Sequence, residues 1–287
     1  MKLKISPYLW SCLIMASSLA LSLYVAIQEK AFLEASQIVS PDVSLGPLVI
    51  YFFSVVAVMA LVLFFIPLKR LRLVFRILFT LMFAWGIFIV AALLLPEIAA
   101  YAIAIIAGIA WLFWANVWLH DLLLLVTLAG AGSVFGFLFS PLTFMIFMLV
   151  IAVYDVVAVR FGFMVWMADK LSESTSLPAF IFPRNTGDWR LNLKSVHVGE
   201  LKKQEAGKRE YTILGGGDIG FPLMLSVSVF FESGLPGAIL VGAFAMVGLM
   251  GAFLIQRLWL KGKPVPALPP ITFLSLIGFV IASFFLK

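Results

Sequence analysis

Two aspartates lie in stretches of sequence that otherwise exclude water, and chemistry can be built on them. Asp155 falls in Ala152-Val153-Tyr154-Asp155-Val156-Val157-Ala158-Val159, and Asp218 in Leu214-Gly215-Gly216-Gly217-Asp218-Ile219-Gly220. An ionisable side chain inside an apolar span costs ~2.5–3.5 kcal/mol even on the lenient insertion scale, which makes each a functional candidate. The plain alternative for either is a single acid that hydrogen-bonds between helices. Two carboxyls close together in apolar surroundings do not both ionise cheaply, so they share a proton, one as base and one as acid. Such a pair can activate water against an amide and then protonate the leaving nitrogen.

The elements that must position them are membrane helices. The chain has 287 residues, 63% apolar and only 12% charged, too little charge to give a soluble domain its surface. A span needs about 20 apolar residues. Such runs fall near 8–27, 47–68, 73–95, 98–119, 121–139, 141–162, 212–231, 236–259 and 267–286. The expected fold is therefore an all-α, nine-helix integral membrane bundle forming one domain, with a polar connector over 163–211. Breaks are marked by Gln28 to Lys30, Lys69-Arg70, Pro96-Glu97, His120-Asp121, Pro141, Glu232 to Pro236 and Lys261 to Pro264. The first run exceeds the 7–15 residues of a signal-peptide core, so it reads as a true helix.

Charge placement orients the bundle. With the amino terminus cytoplasmic and the carboxyl terminus outside, 18 of the 20 Lys and Arg residues fall on the inner side, as the positive-inside rule requires. The net charge of +6 is thus an orientation signal and not a nucleic-acid patch. The connector is expected to be cytoplasmic, with Val196-His197-Val198 as a short strand. His197 and His120 lack the partners of a metal site, and Cys12 cannot form an internal disulfide. Phosphate-loop, serine-elbow and zinc-helix motifs are missing.

Asp155 is expected seven residues from the inner end of its span and Asp218 six, roughly 9–11 Å below one face at 1.5 Å per residue. Gly215, Gly216 and Gly217 allow close approach of backbone and substrate, although a helix-packing groove, as expected of Gly132 and Gly136, is the alternative. Pro264, Pro266, Pro269 and Pro270 remove amides from the start of the last span, so a regular helix is expected only from Ile271. An unpaired backbone at membrane depth must line a wet cavity or be buried in protein, and it can pair with an extended substrate.

Together, Tyr154-Asp155, Gly215-Gly216-Gly217-Asp218 and Pro266-Ala267-Leu268 resemble the motifs of the presenilin and signal peptide peptidase family of intramembrane aspartyl proteases, in its archaeal branch. The resemblance covers essentially the whole chain. Tyr154 to Val159 and Pro266 to Pro269 look presenilin-like, whereas Asp218-Ile219 with Pro222 looks closer to signal peptide peptidase. The resemblance implies that Asp155 and Asp218 are the catalytic pair. Gly215 and Gly217 would shape the site, and Pro266, Ala267 and Leu268 would support the pair and the substrate. Tyr154 belongs to the motif without an assigned role.

The implied activity is an aspartic endopeptidase that cleaves transmembrane-helix peptides with water as nucleophile. It needs no metal or organic cofactor and works in the lipid bilayer of a cell membrane, as a multi-pass protein. Its expected partners exclude nucleic acid and leave a homo-oligomer open. The alternative from another class is an ion- or proton-coupled transporter using the paired carboxylates; a third is a catalytically silent scaffold.

Overall fold

The computed structural model describes residues 7–38, 41, 43–196, 210–260 and 264–285. Its helices are α1 (Pro7–Ala35), α2 (Leu45–Phe65), α3 (Leu68–Leu94), α4 (Glu97–Phe113), α5 (Val117–Leu138), α6 (Pro141–Arg160) and the short α7 (Phe163–Glu173). After α7 come strand β1 (Ala179–Pro183), two 3₁₀ turns (Thr186–Arg190 and Leu193–Ser195) and strand β2 (Tyr211–Gly215). Helices α8 (Gly216–Ser233), α9 (Leu235–Leu258) and α10 (Leu268–Phe285) complete the chain. Among the described residues seven helices, namely α1, α2, α3, α5, α6, α9 and α10, are long and apolar enough to cross a membrane. Helix α4 is apolar but has 17 residues. Large apolar side chains such as Ile50, Phe64, Ile98 and Phe113 lie on the exterior, the arrangement lipid tails favour.

Helix α5 sits at the centre, packed against α1, α3, α4, α8 and β1. Small residues let it do so. A Cβ on Gly136 would lie 2.5 Å from Val227, and one on Gly132 would lie 2.7 Å from Ser22 Oγ, so both are packing glycines as expected. The same device joins α9 to α10, where a Cβ on Gly248 would lie 2.6 Å from Ile271 Cα and 2.8 Å from the Pro270 carbonyl oxygen. Backbone cannot yield as a flexible side chain can. Gly248→Ala should therefore destabilise the bundle by ~1–3 kcal/mol, as overpacking does. A thermal midpoint in detergent equal to that of the parent would show that α9 and α10 are not so tightly apposed.

The bundle is not all helix, contrary to expectation. Strands β1 and β2 form an antiparallel hairpin in which Ala179 faces Gly215, Ile181 faces Ile213 and Pro183 faces Tyr211. The seventh apolar run, expected to be helical from 212, begins as strand and becomes helix only at Gly216. Tyr211, Thr212 and Ile213 are good strand formers, and a short apolar run does not reveal its period. Gly216 N–H donates to the Pro178 carbonyl at 2.9 Å and Arg184 N–H to the Glu210 carbonyl at 2.8 Å. Alternation then turns the backbone of Ala179 and Ile181 to the outer edge of β1, and that of Ile213 to the outer edge of β2.

Three further expectations are corrected. The break between the fourth and fifth spans falls at Trp114 to Asn116, not at His120-Asp121; Asn116 caps α5, and its backbone bridges Asn192. Helix α1 runs through the expected break at Gln28 to Lys30 as far as Ala35, because Glu29 accepts a hydrogen bond from Ser133 Oγ and Lys30 Nζ sits over the Phe230 ring. The connector also carries buried structure, since Phe180, Ile181 and Phe182 are almost wholly enclosed. The strand expected over Val196-His197-Val198 lies largely outside the described residues, as does His197.

Candidate active site

Asp155 lies five residues before the end of α6. Ile151, Ala152, Asp155 and Ala158 are buried, whereas Val153, Val156 and Val157 are exposed, the pattern of one inward helical face. That face packs against α8 and α10. The Asp155 side chain is 5% exposed, and its Oδ2 accepts the Leu268 amide at 3.2 Å, across 113 residues of sequence.

Asp218 is the third residue of α8 and is half-buried. Gly215 is the N-cap, and its backbone amide hydrogen-bonds the Asp218 carboxyl. This is one half of a capping box, in which the third helical side chain reaches back to the cap amide. The acid thus helps to start the helix that carries it. Its position so near the helix start differs from the six residues expected, because the hairpin takes up the first turns of the apolar run. Asp155 and Asp218 are close enough to interact electrostatically.

Gly215 and Gly216 are needed for space. Among the described glycines only Gly162 and Gly234 have positive φ, so the triplet itself adopts ordinary backbone angles. A Cβ on Gly215 would lie 3.1 Å from Asp218 Oδ2, pressing on the carboxyl. A Cβ on Gly216 would come 3.0 Å from the Pro178 oxygen that its own amide meets. Gly217 is exposed, and a Cβ there would lie 3.0 Å from the edge of the Phe221 ring, a side chain and not backbone.

Pro264 to Ala267 are not helical, but α10 starts at Leu268, three residues earlier than expected. Pro269 and Pro270 fall in its first turn, where amides have no intrahelical acceptor and proline is tolerated. Ala267 and Leu268 are buried, and Pro266 is half-buried. The Tyr154 ring meets Phe52 and Phe53 of α2 edge-on at 6.1 and 5.5 Å. Its hydroxyl is buried without a hydrogen-bond partner. The ring borders an apolar groove of about 400 Å³ lined by Phe53, Val150, Val153, Tyr154 and Val157. Among the described residues no three His, Cys, Asp or Glu side chains are grouped to hold a metal ion.

Sequence reasoning missed the burial of His120 and Asp121. Both lie in the first turns of α5, at 0% and 2% exposure, and bind the outer edge of β1. The signal was present: an acid inside an apolar run is the observation that singled out Asp155, and Asp121 is one too.

A sequence comparison with curated proteins gives no match. Two crystal forms of a presenilin family intramembrane aspartate protease share the fold. The C222 form has a TM-score of 0.64 at 20% identity, over 97% of this chain and 99% of that one. The P2 form has a TM-score of 0.61 at 20% identity, over 95% of each chain. A family model described as signal-peptide peptidase, presenilin aspartyl protease matches residues 10–287. With the match spanning nearly every residue from α1 to the carboxyl end, this chain belongs to the signal-peptide peptidase and presenilin family of aspartyl proteases.

Proposed function

We propose that this protein hydrolyses peptide bonds of transmembrane segments within the membrane, with Asp155 and Asp218 as the paired acid and base and water as the nucleophile. The observation that carries the reading is the convergence of two intramembrane carboxyls from α6 and α8, with the Leu268 amide holding Asp155. A carboxyl pair polarises water and protonates the departing amine without any other group.

A peptide bond inside an intact helix is shielded, so the substrate must unwind locally and pair its backbone elsewhere. The outer edge of β2 offers the Ile213 amide and carbonyl, which the ladder leaves turned away from β1, and strand addition there would lead the substrate toward Asp218. This assigns the pairing role to β2, and leaves Pro266, Ala267 and Leu268 to hold Asp155. The groove beside Tyr154 is the lateral entrance in this reading, and the unpaired Tyr154 hydroxyl awaits a backbone group.

The 17 residues of α4 and 18 of α8 reach the short end of the spanning range of about 17–25. We take them to complete nine crossings, with the amino terminus and the hairpin cytoplasmic. Family membership leaves the transporter alternative without support. The test is cleavage of a transmembrane peptide by the purified protein in liposomes, with Asp218→Ala as control. Cleavage by the parent alone is the expected result; equal cleavage by both would refute the assignment.

A further inference from the structure

We infer that His120 and Asp121 are positioning residues for Asp218, acting through the β1–β2 hairpin; the inference rests on the protease reading above. A two-stranded hairpin is marginal by itself, and its free edges need partners when buried. Here α5 supplies side chains in place of a third strand. Both carboxylate oxygens of Asp121 accept the Ile181 amide, at 3.1 and 3.2 Å. His120 Nε2 lies 3.1 Å from the Ala179 carbonyl oxygen.

The histidine's tautomer follows from its partners. The Trp111 indole can only donate, and its Nε1 lies 3.3 Å from His120 Nδ1, so Nδ1 carries the lone pair. Nε2 then carries the hydrogen and donates to the Ala179 carbonyl. Phe83 packs edge-on to the same imidazole at 5.6 Å. The ring is thus fixed from α3, α4 and β1 together. Helix α5, the most central element, passes that rigidity to the strand.

From β1 the path to the dyad is short. Ala179 stands opposite Gly215 in the ladder, and the Pro178 carbonyl takes the Gly216 amide. Gly215 in turn gives its amide to the Asp218 carboxyl. A displacement of β1 moves the cap of α8 and the acid with it, with no flexible linker between. Misplacing a reacting group by about 1 Å can cost roughly 100-fold in rate. The polar partners of His120 and Asp121 are Trp111 and the backbone of β1, not Asp155 or Asp218, so their role is positioning.

The experiment measures kcat and KM for a transmembrane peptide in liposomes, alongside thermal unfolding, for Asp121→Ala, Asp121→Asn and His120→Ala. Asp121→Ala and His120→Ala should each lower kcat by roughly 10- to 100-fold. KM should change less than kcat, since the substrate-pairing edge of β2 shifts with the hairpin but keeps its backbone groups, whereas Asp218 loses its alignment. Asp121→Asn should restore most of the rate, because one amide oxygen suffices to accept the Ile181 N–H. Affinity for a peptide with a secondary alcohol in place of the scissile amide should fall in parallel with kcat, a readout that a merely structural role would not move.

Alanine variants with parental kcat would overturn the inference. So would an Asp121→Asn variant no better than Asp121→Ala. Failure of both alanine variants to fold would do so too, since the pair would then be framework only. A parent that cleaves nothing refutes the protease reading and, with it, any positioning role. A cleaving parent with unaffected variants refutes this inference alone.

Discussion

Asparagine at position 155 or at position 218 should reduce cleavage of a transmembrane peptide by at least about 1,000-fold, within the range that a lost general acid or base produces. The substitution is a clean probe because asparagine keeps an acceptor oxygen. The amide of Leu268 still has a partner at 155, and the Gly215 amide still has one at 218. The bundle should unfold at nearly the parental temperature, so the loss reports chemistry. The double variant should be no worse than either single one, since residues acting as a unit are strongly non-additive. A single variant retaining a tenth of the parental rate would sink the dyad.

The second large effect is expected at Leu268, where a backbone group and a side chain can be separated. Its amide holds Asp155 at 3.2 Å, and its side chain is buried in a cluster with Ile151, Ala152 and Leu225. Leu268→Ala keeps the amide and removes packing, so it should lower thermal stability while leaving kcat near the parent's. Leu268→Pro removes the amide at the first helical position, where proline fits. A hydrogen bond to a charged group contributes ~1.5–3 kcal/mol. The proline variant should therefore lose roughly 10- to 100-fold more in kcat than the alanine variant. Equal rates for the two would mean that the Leu268–Asp155 bond plays no part in the reaction.

The reach of the sequence is clearest where the bilayer is the constraint. A medium without hydrogen bonds forces long apolar helices, so the helices α2, α3, α6, α9 and α10 could be placed to within several residues, and α1 at its start. The same medium makes an intramembrane acid conspicuous, which is why Asp155 and Asp218 stood out on cost alone. Gly132 and Gly136 were legible as packing glycines for a related reason, since membrane helices approach most closely over small residues.

Tertiary structure decided what lies between those helices. Tyr211 to Gly215 is as apolar as a helix start, and only the presence of Ala179–Pro183 beside it makes it a strand. That pairing moves the start of α8 to Gly216 and brings Asp218 into its first turn, where Gly215 caps it. His120 and Asp121 read as an interhelical break because charge usually marks one. They are buried instead, because β1 presents an amide and a carbonyl that side chains from α5 satisfy. The bond from Leu268 to Asp155 spans 113 residues, a distance at which local periodicity carries no information. Local sequence thus determined which segments enter the membrane and which acids stand out there. The partners of buried backbone groups, and with them the geometry around the two aspartates, were set by contacts that exist only once the chain has folded.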